Sequence, residues 1–236
     1  MSFSNKNPKE NFCFQAHITV GTVNNISGYI ELCKEQEVKP VLIKLAQGDY
    51  VNQPMYTQQI VARNLGDALL EVDRVKNVFS ENGLQAVRAK IEINAESVID
   101  YFEMDVDKWE NTRYRESCLA KMKNSYFEAH VKVKYNDIDL LKAIAIKNNL
   151  YLSQNDREPA IRFLSVRKNL MEALKASYEG HADLRRFYLH SKNFSRTFEG
   201  DLKKAGMEII KEKYECCIYD SNKDLDENWG FKAPVI

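Results

Sequence analysis

Two histidines occupy matching places in this chain. His17 lies in Phe14-Gln-Ala-His17-Ile-Thr-Val20 and His130 in Phe127-Glu-Ala-His130-Val-Lys-Val133, 113 residues apart (130 minus 17). Imidazole titrates near neutrality, so a pair can serve one substrate as base and acid, as phosphoester cleavage requires. Cations recur in the same alternating phase: Lys90 and Lys213 on the last strands of the two similar segments, Lys132 two residues after His130, and Arg63 and Arg167 at strand ends. Ammonium and guanidinium groups donate to phosphate or carboxylate, and the Thr19 hydroxyl adds a further donor. His17 and His130 are therefore the candidate catalytic pair. Thr19, Lys132, Arg63, Arg167, Lys90 and Lys213 are the candidate substrate-binding groups.

The elements that must position these residues come from periodicity. Phe12, Phe14, Ala16, Ile18 and Val20 alternate with Cys13, Gln15, His17 and Thr19, a strand with one buried face. Asn24 and Asn25 offer caps to a helix carrying Ile26, Tyr29, Ile30 and Cys33. Strands follow at Val41 to Leu45 and Gln58 to Arg63, separated by a polar loop with Gly48 and Pro54. Asn64 with Asp67 opens a second helix, Gly83 closes it, and a strand runs from Leu84 to Ile93. The order is β-α-β-β-α-β.

A second copy follows. Gly83-Leu-Gln-Ala-Val-Arg88-Ala-Lys90-Ile-Glu92 matches Gly206-Met-Glu-Ile-Ile-Lys211-Glu-Lys213-Tyr-Glu215, and Ile60 to Arg63 resembles Leu164 to Arg167. Three collinear matches predict a duplicated α+β fold: a tandem of ferredoxin-like βαββαβ sandwiches, the second with a helical insertion near 181–204. The expected domains are a tail at 1–11, a first repeat at 12–94, a linker at 95–125, a second repeat at 126–219 and a tail at 220–236. The two uncovered sheet faces would then meet as a cationic cleft.

Ala16-His17-Ile18-Thr19-Val20 resembles the His-x-Thr strand of the 2H phosphoesterases, two-lobed proteins with one such motif in each lobe. That resemblance implies acid and base roles for His17 and His130 and a phosphate-holding role for Thr19. The second motif departs from it, with Lys132 where a hydroxyl is expected. Asp220-Ser-Asn222-Lys-Asp224-Leu-Asp226 starts like a calcium loop, but Leu225 and Phe231 replace its glycine and bidentate glutamate, leaving a polar turn. The acids Asp100, Glu103, Asp105 and Asp107 read as solvated linker charge. No metal and no cofactor is expected.

Lys plus Arg and Asp plus Glu are 34 each, so no global field favours nucleic acid or an anionic membrane. Phe12, Phe14 and Phe127 face away from the histidines, which disfavours base stacking and sequence-specific RNA binding. No apolar run spans a bilayer, the start is polar, and five cysteines without a CxxC pair suit a reduced, cytoplasmic protein. The expected ligand is a phosphorylated or other anionic small molecule, such as a nucleotide, with phosphoesterase-type hydrolysis as the enzymatic form. The alternative is a non-catalytic interaction module, and a homo-oligomer is a further expected partner state.

Overall fold

The computed structural model describes residues 11–46, 51–156, 158–179 and 193–226. Eight strands are present among them: β1 (Phe12–Val20), β2 (Lys39–Leu45), β3 (Asn52–Ala62), β4 (Ala86–Asn94), β5 (Tyr126–Lys134), β6 (Tyr151–Asn155), β7 (Ile161–Asn169) and β8 (Glu208–Asp220). The helices are α1 (Ile26–Glu35), α2 (Leu65–Glu81), α3 (Val98–Tyr101), α4 (Thr112–Lys121), α5 (Ile138–Lys147), α6 (Leu170–Glu179) and α7 (Asn193–Lys204).

The caps form as their residue types dictate. Asn25 accepts from the Gly28 amide, Asn64 from Asp67, Asp137 from Asp139 and Leu140, and Asn169 from Met171 and Glu172. Gly83 follows α2 at φ 77° and Gly206 follows α7 at φ 68°, the left-handed region where a Cβ would be strained.

The expected tandem of ferredoxin-like sandwiches does not form. All eight strands close into one antiparallel barrel in the order β1-β3-β2-β6-β7-β5-β8-β4. Two four-strand sheets would each leave two edges of unpaired backbone groups. Here β2 pairs with β6 (Ile43 opposite Asn155, Leu45 opposite Ser153), and β4 pairs with β8 (Lys90 opposite Asp220, Asn94 opposite Glu215). Both free edges of each half are thereby satisfied, and the faces that were to bound a cleft become a barrel interior.

Strand β3 begins earlier than expected. Pro54, read as part of a loop, lies inside it opposite Leu42 of β2. On its other side β1 pairs only as far as Met55, so the missing proline N–H leaves no ladder bond unmade there.

The helices cover the barrel from outside, and the apolar core is the layer between. Phe14, Ala16 and Ile18 of β1, Phe127, Ala129 and Val131 of β5, and Val72, Val75 and Phe79 of α2 belong to one continuous cluster. Phe79 stacks on Tyr56 of β3 at 4.3 Å between ring centres. The stretch 95–125 is largely helical and sets Trp109, Cys118, Leu119 and Met122 into the same core. Part of the helical insertion, with Arg185, Arg186, Phe187, Tyr188 and Lys192, lies outside the described residues, as does Trp229. Among the described residues no helix is long and apolar enough to cross a membrane.

Candidate functional site

Because strand side chains alternate, the residues between the helix-covered ones point into the barrel. Strand β1 contributes Gln15, His17 and Thr19; β4 contributes Arg88, Lys90 and Glu92; β5 contributes Tyr126, Glu128, His130 and Lys132; β7 contributes Ser165 and Arg167; β8 contributes Lys213 and Glu215. The register sets His17 beside Lys90 and His130 beside Lys213.

Three buried glutamates tie this interior together. Lys90 Nζ lies 2.7 Å from Glu92 Oε1 and 2.7 Å from Glu128 Oε2. Arg167 donates through Nε to Glu128 Oε1 at 2.7 Å and lies over the Tyr126 ring. Lys213 Nζ meets Glu215 Oε1 at 2.6 Å. Nearby, Arg88 forms a two-bonded pair with Asp220, whose Oδ2 also accepts from the Tyr126 hydroxyl at 2.6 Å.

The histidines attach to the same network. His17 Nε2 is 3.1 Å from Glu92 Oε2, and His130 Nε2 is 3.4 Å from Glu128 Oε2. One ligand atom each from Glu92, Glu128 and His130 lie within 4.8 Å of one another, as do those of His17, Glu92 and Glu215, so Glu92 is common to both groups.

The two rings are held alike, each with Nε2 toward a buried glutamate and Nδ1 on a hydroxyl, and differ in one contact, made by Gln15. Lys213 Nζ, which can only donate, bonds Gln15 Oε1 at 2.6 Å and so fixes the Gln15 amide. The Gln15 NH2 group then donates to His17 Nε2 at 2.9 Å, which makes that nitrogen an acceptor. On the other side of the ring, His17 Nδ1 is hydrogen-bonded with Thr57 Oγ1 at 3.0 Å. His130 also turns Nε2 toward a carboxylate, that of Glu128, with Nδ1 bonded to Ser165 Oγ at 2.7 Å and, among the described residues, no such amide contact on Nε2.

Electrostatics follows from these contacts. Burial disfavours charge on Lys90, but Glu128 and Glu92 outweigh it and hold the ammonium above its ordinary value. Burial likewise opposes ionisation of Glu92, yet Lys90 brings it down to about 2. Glu128 falls well below its ordinary value against burial, through Lys90 and Arg167. Burial works against the His130 cation, and Glu128 overcomes it to raise the imidazole. Glu215 is raised by burial and by the neighbouring Glu92 charge.

Of the residues singled out in the sequence, His17, His130, Lys90, Arg167 and Lys213 converge on this network. Thr19 faces inward from β1, buried and opposite Arg88. Lys132 lies further along β5, paired with Glu158 at 2.7 Å beside Phe163. Arg63 does not join: it lies beyond β3, 71% exposed, against Asp67 of α2. The sequence reading gave Glu92, Glu128 and Glu215 no role. Their signal was spacing: Glu92 is two residues after Lys90, Glu128 two before His130, and Glu215 two after Lys213, each on its partner's face. No protein-family model matches the chain, and no curated protein matches its sequence.

Proposed function

We propose that the barrel interior binds a phosphorylated or otherwise anionic small molecule, with phosphoesterase-type hydrolysis as its enzymatic form. The observation that carries this reading is the convergence of His17 and His130 on one buried network with Lys90, Arg167 and Lys213. Stability alone does not call for such an interior, because well-packed apolar residues do as well as buried ion pairs or better. Titratable groups with shifted proton affinities gathered inside a barrel make a candidate ligand site.

In the hydrolytic form the one contact in which the rings differ assigns the roles. His17 Nε2 carries the lone pair and takes a proton from the attacking water. His130, held as a proton donor beside Glu128, protonates the leaving oxygen. Lys90, Arg167, Lys213 and Thr19 hold the phosphate, with Lys132 farther along the same strand. The five unpaired cysteines fit a reducing, cytoplasmic setting.

A second reading has its own observation: Lys90, Arg167 and Lys213 each already face a glutamate. A self-satisfied charged interior also suits a non-catalytic interaction module, alone or as a homo-oligomer. A thermal-shift screen with inorganic phosphate, nucleotides and sugar phosphates decides between them. A ligand at 100 times its Kd adds about 2.7 kcal/mol of stability. Stabilisation that disappears in Arg167→Met supports the ligand site; no shift with any anion leaves the interaction module. Turnover of bis(4-nitrophenyl) phosphate that is lost in both His17→Gln and His130→Gln supports the hydrolytic form.

A further inference from the structure

We infer that His17, Glu92 and Glu215 form a site for one first-row divalent cation, such as Mn2+ or Zn2+, inside the barrel. The donor atoms lie within 4.8 Å of one another. Two ligands about 2.1 Å from an ion and at right angles to each other stand about 3.0 Å apart. His17 Nε2 and Glu92 Oε2 are 3.1 Å apart.

The second, independent observation is that this short contact lacks hydrogen-bond geometry, so the buried Glu92 Oε2 stands beside the imidazole without a hydrogen-bond partner. The Gln15 amide makes His17 Nε2 an acceptor, and a carboxylate oxygen is also an acceptor. Glu92 is fully buried, and neither of its oxygens has a hydrogen-bond partner, although Lys90 and His17 stand at ion-pair distance. The Glu215 carboxylate, also buried, adds a like charge beside it. A lone pair and two carboxylates directed at one small space are what a cation would relieve.

Placement within the network follows from Lys90. Its ammonium already bridges Glu92 Oε1 and Glu128 Oε2 at 2.7 Å each, so a cationic group fills the cluster of Glu92, Glu128 and His130. With Lys213 Nζ already 2.6 Å from Glu215 Oε1, the ion belongs at His17 Nε2 and Glu92 Oε2, where it shares the Glu215 carboxylate with that ammonium. The outer support is built as metal sites build it, with the other ring nitrogen of His17 hydrogen-bonded with Thr57. One imidazole and two carboxylates suit Mn2+, Fe2+ or Zn2+. Ca2+ and Mg2+ prefer oxygen alone, and no thiolate is present to select Cu+. The Gln15 amide must yield its bond to Nε2 when the ion enters.

This inference rests on the interior being a ligand site, and it deepens that reading. In the central network Lys90, Arg167 and Lys213 match Glu92, Glu128 and Glu215 three to three, and an ion adds the excess positive charge that an anionic ligand needs. With His17 Nε2 on the ion, the nucleophile would be hydroxide formed from an ion-bound water, whose proton is released to solvent.

The test uses the full chain stripped with chelator and titrated with Mn2+ alone, the free ion followed by electron paramagnetic resonance. One ion per chain is expected, with Mg2+ and Ca2+ weaker. Glu215→Gln and His17→Gln should weaken binding by more than about tenfold, the low end of the loss when even an outer partner of a metal site is removed. His130→Gln should bind as the wild type does, and Gln15→Ala as well or better. The wild-type chain gives a readout free of folding effects: substoichiometric Mn2+ should broaden the His17 ring resonances. Absence of bound Mn2+, unchanged affinity in Glu215→Gln, or a sharp His17 signal with Mn2+ bound overturns the site. Because no anion is present, such a failure is separate from failure of the phosphate and nucleotide screen.

Discussion

Glu128→Gln isolates charge from packing at the centre of the barrel. The amide has nearly the carboxylate's shape, so no cavity opens, but it keeps one acceptor oxygen where the carboxylate had two, so either Lys90 or Arg167 loses its 2.7 Å partner and the other faces a neutral one. Glu128 is 1% exposed, so water cannot replace the missing charge. Breaking a buried ion pair from one side costs about 3–5 kcal/mol, which for a chain of this size lowers Tm on the order of 10 °C. Glu158→Gln is the matched control. Its ion pair with Lys132 is equally short at 2.7 Å, but the Glu158 side chain is 42% exposed. Solvent screening limits that loss to about 1 kcal/mol or less. Adding Arg167→Met to Glu128→Gln should recover part of the stability, because the one remaining acceptor then serves Lys90 alone. Ring proton titration by NMR should also show the His130 pKa falling in Glu128→Gln, since Glu128 is what raises it. Melting curves in which Glu128→Gln and Glu158→Gln cost the same would refute the claim that burial, rather than distance, sets the energy.

Three other measurements probe the frame. Phe79→Ala removes the ring packed between Tyr56 and Tyr29 and should cost about 3–5 kcal/mol in urea unfolding; a loss under about 1 kcal/mol would contradict its place in the core. Gly83→Ala, at φ 77°, should destabilise by about 1–2 kcal/mol, while Gly200→Ala, with nothing near its would-be Cβ inside α7, should stabilise by up to about 1 kcal/mol. The same sign for both in thermal melts would undo the conformational argument. Acid stability follows from Glu128 and Asp220, both held below their ordinary values despite burial, Glu128 by Lys90 and Arg167, Asp220 by Arg88. A lowered carboxylate stabilises the fold above its unfolded pKa and loses that contribution as pH falls through the folded value. The urea midpoint should therefore drop below about pH 4, and less steeply in Asp220→Asn; a midpoint that rises on acidification would contradict the sign.

Local structure was legible in the sequence because its causes are local. Alternation placed β1 and β5 with Phe14 and Phe127 outward, and side-chain chemistry placed the caps at Asn25, Asn64 and Asn169 and the turn at Gly83. Closure was not legible. A polar residue on every second position looks the same whether it faces water or an enclosed interior, and pairing of β2 with β6 joins residues more than 100 positions apart. The polar face suggested a cationic groove because cations were counted singly. Opposite charges two residues apart on one strand share a face, and that spacing pairs Lys90 with Glu92 and Lys213 with Glu215.

The ring of strands is thinnest on either side of β6. Between β2 and β6 the register covers three residue pairs, extended by the Ala46 amide to the Leu152 carbonyl and the Asp156 amide to the Leu42 carbonyl. Every other neighbouring pair except β6 with β7 is registered over a longer stretch. Local opening starts where the fewest bonds must break, so the barrel should loosen first around β6 while its other joins hold. Backbone deuterium uptake at Lys44 and Leu45 should accordingly run ahead of uptake at Ala129 and Val131.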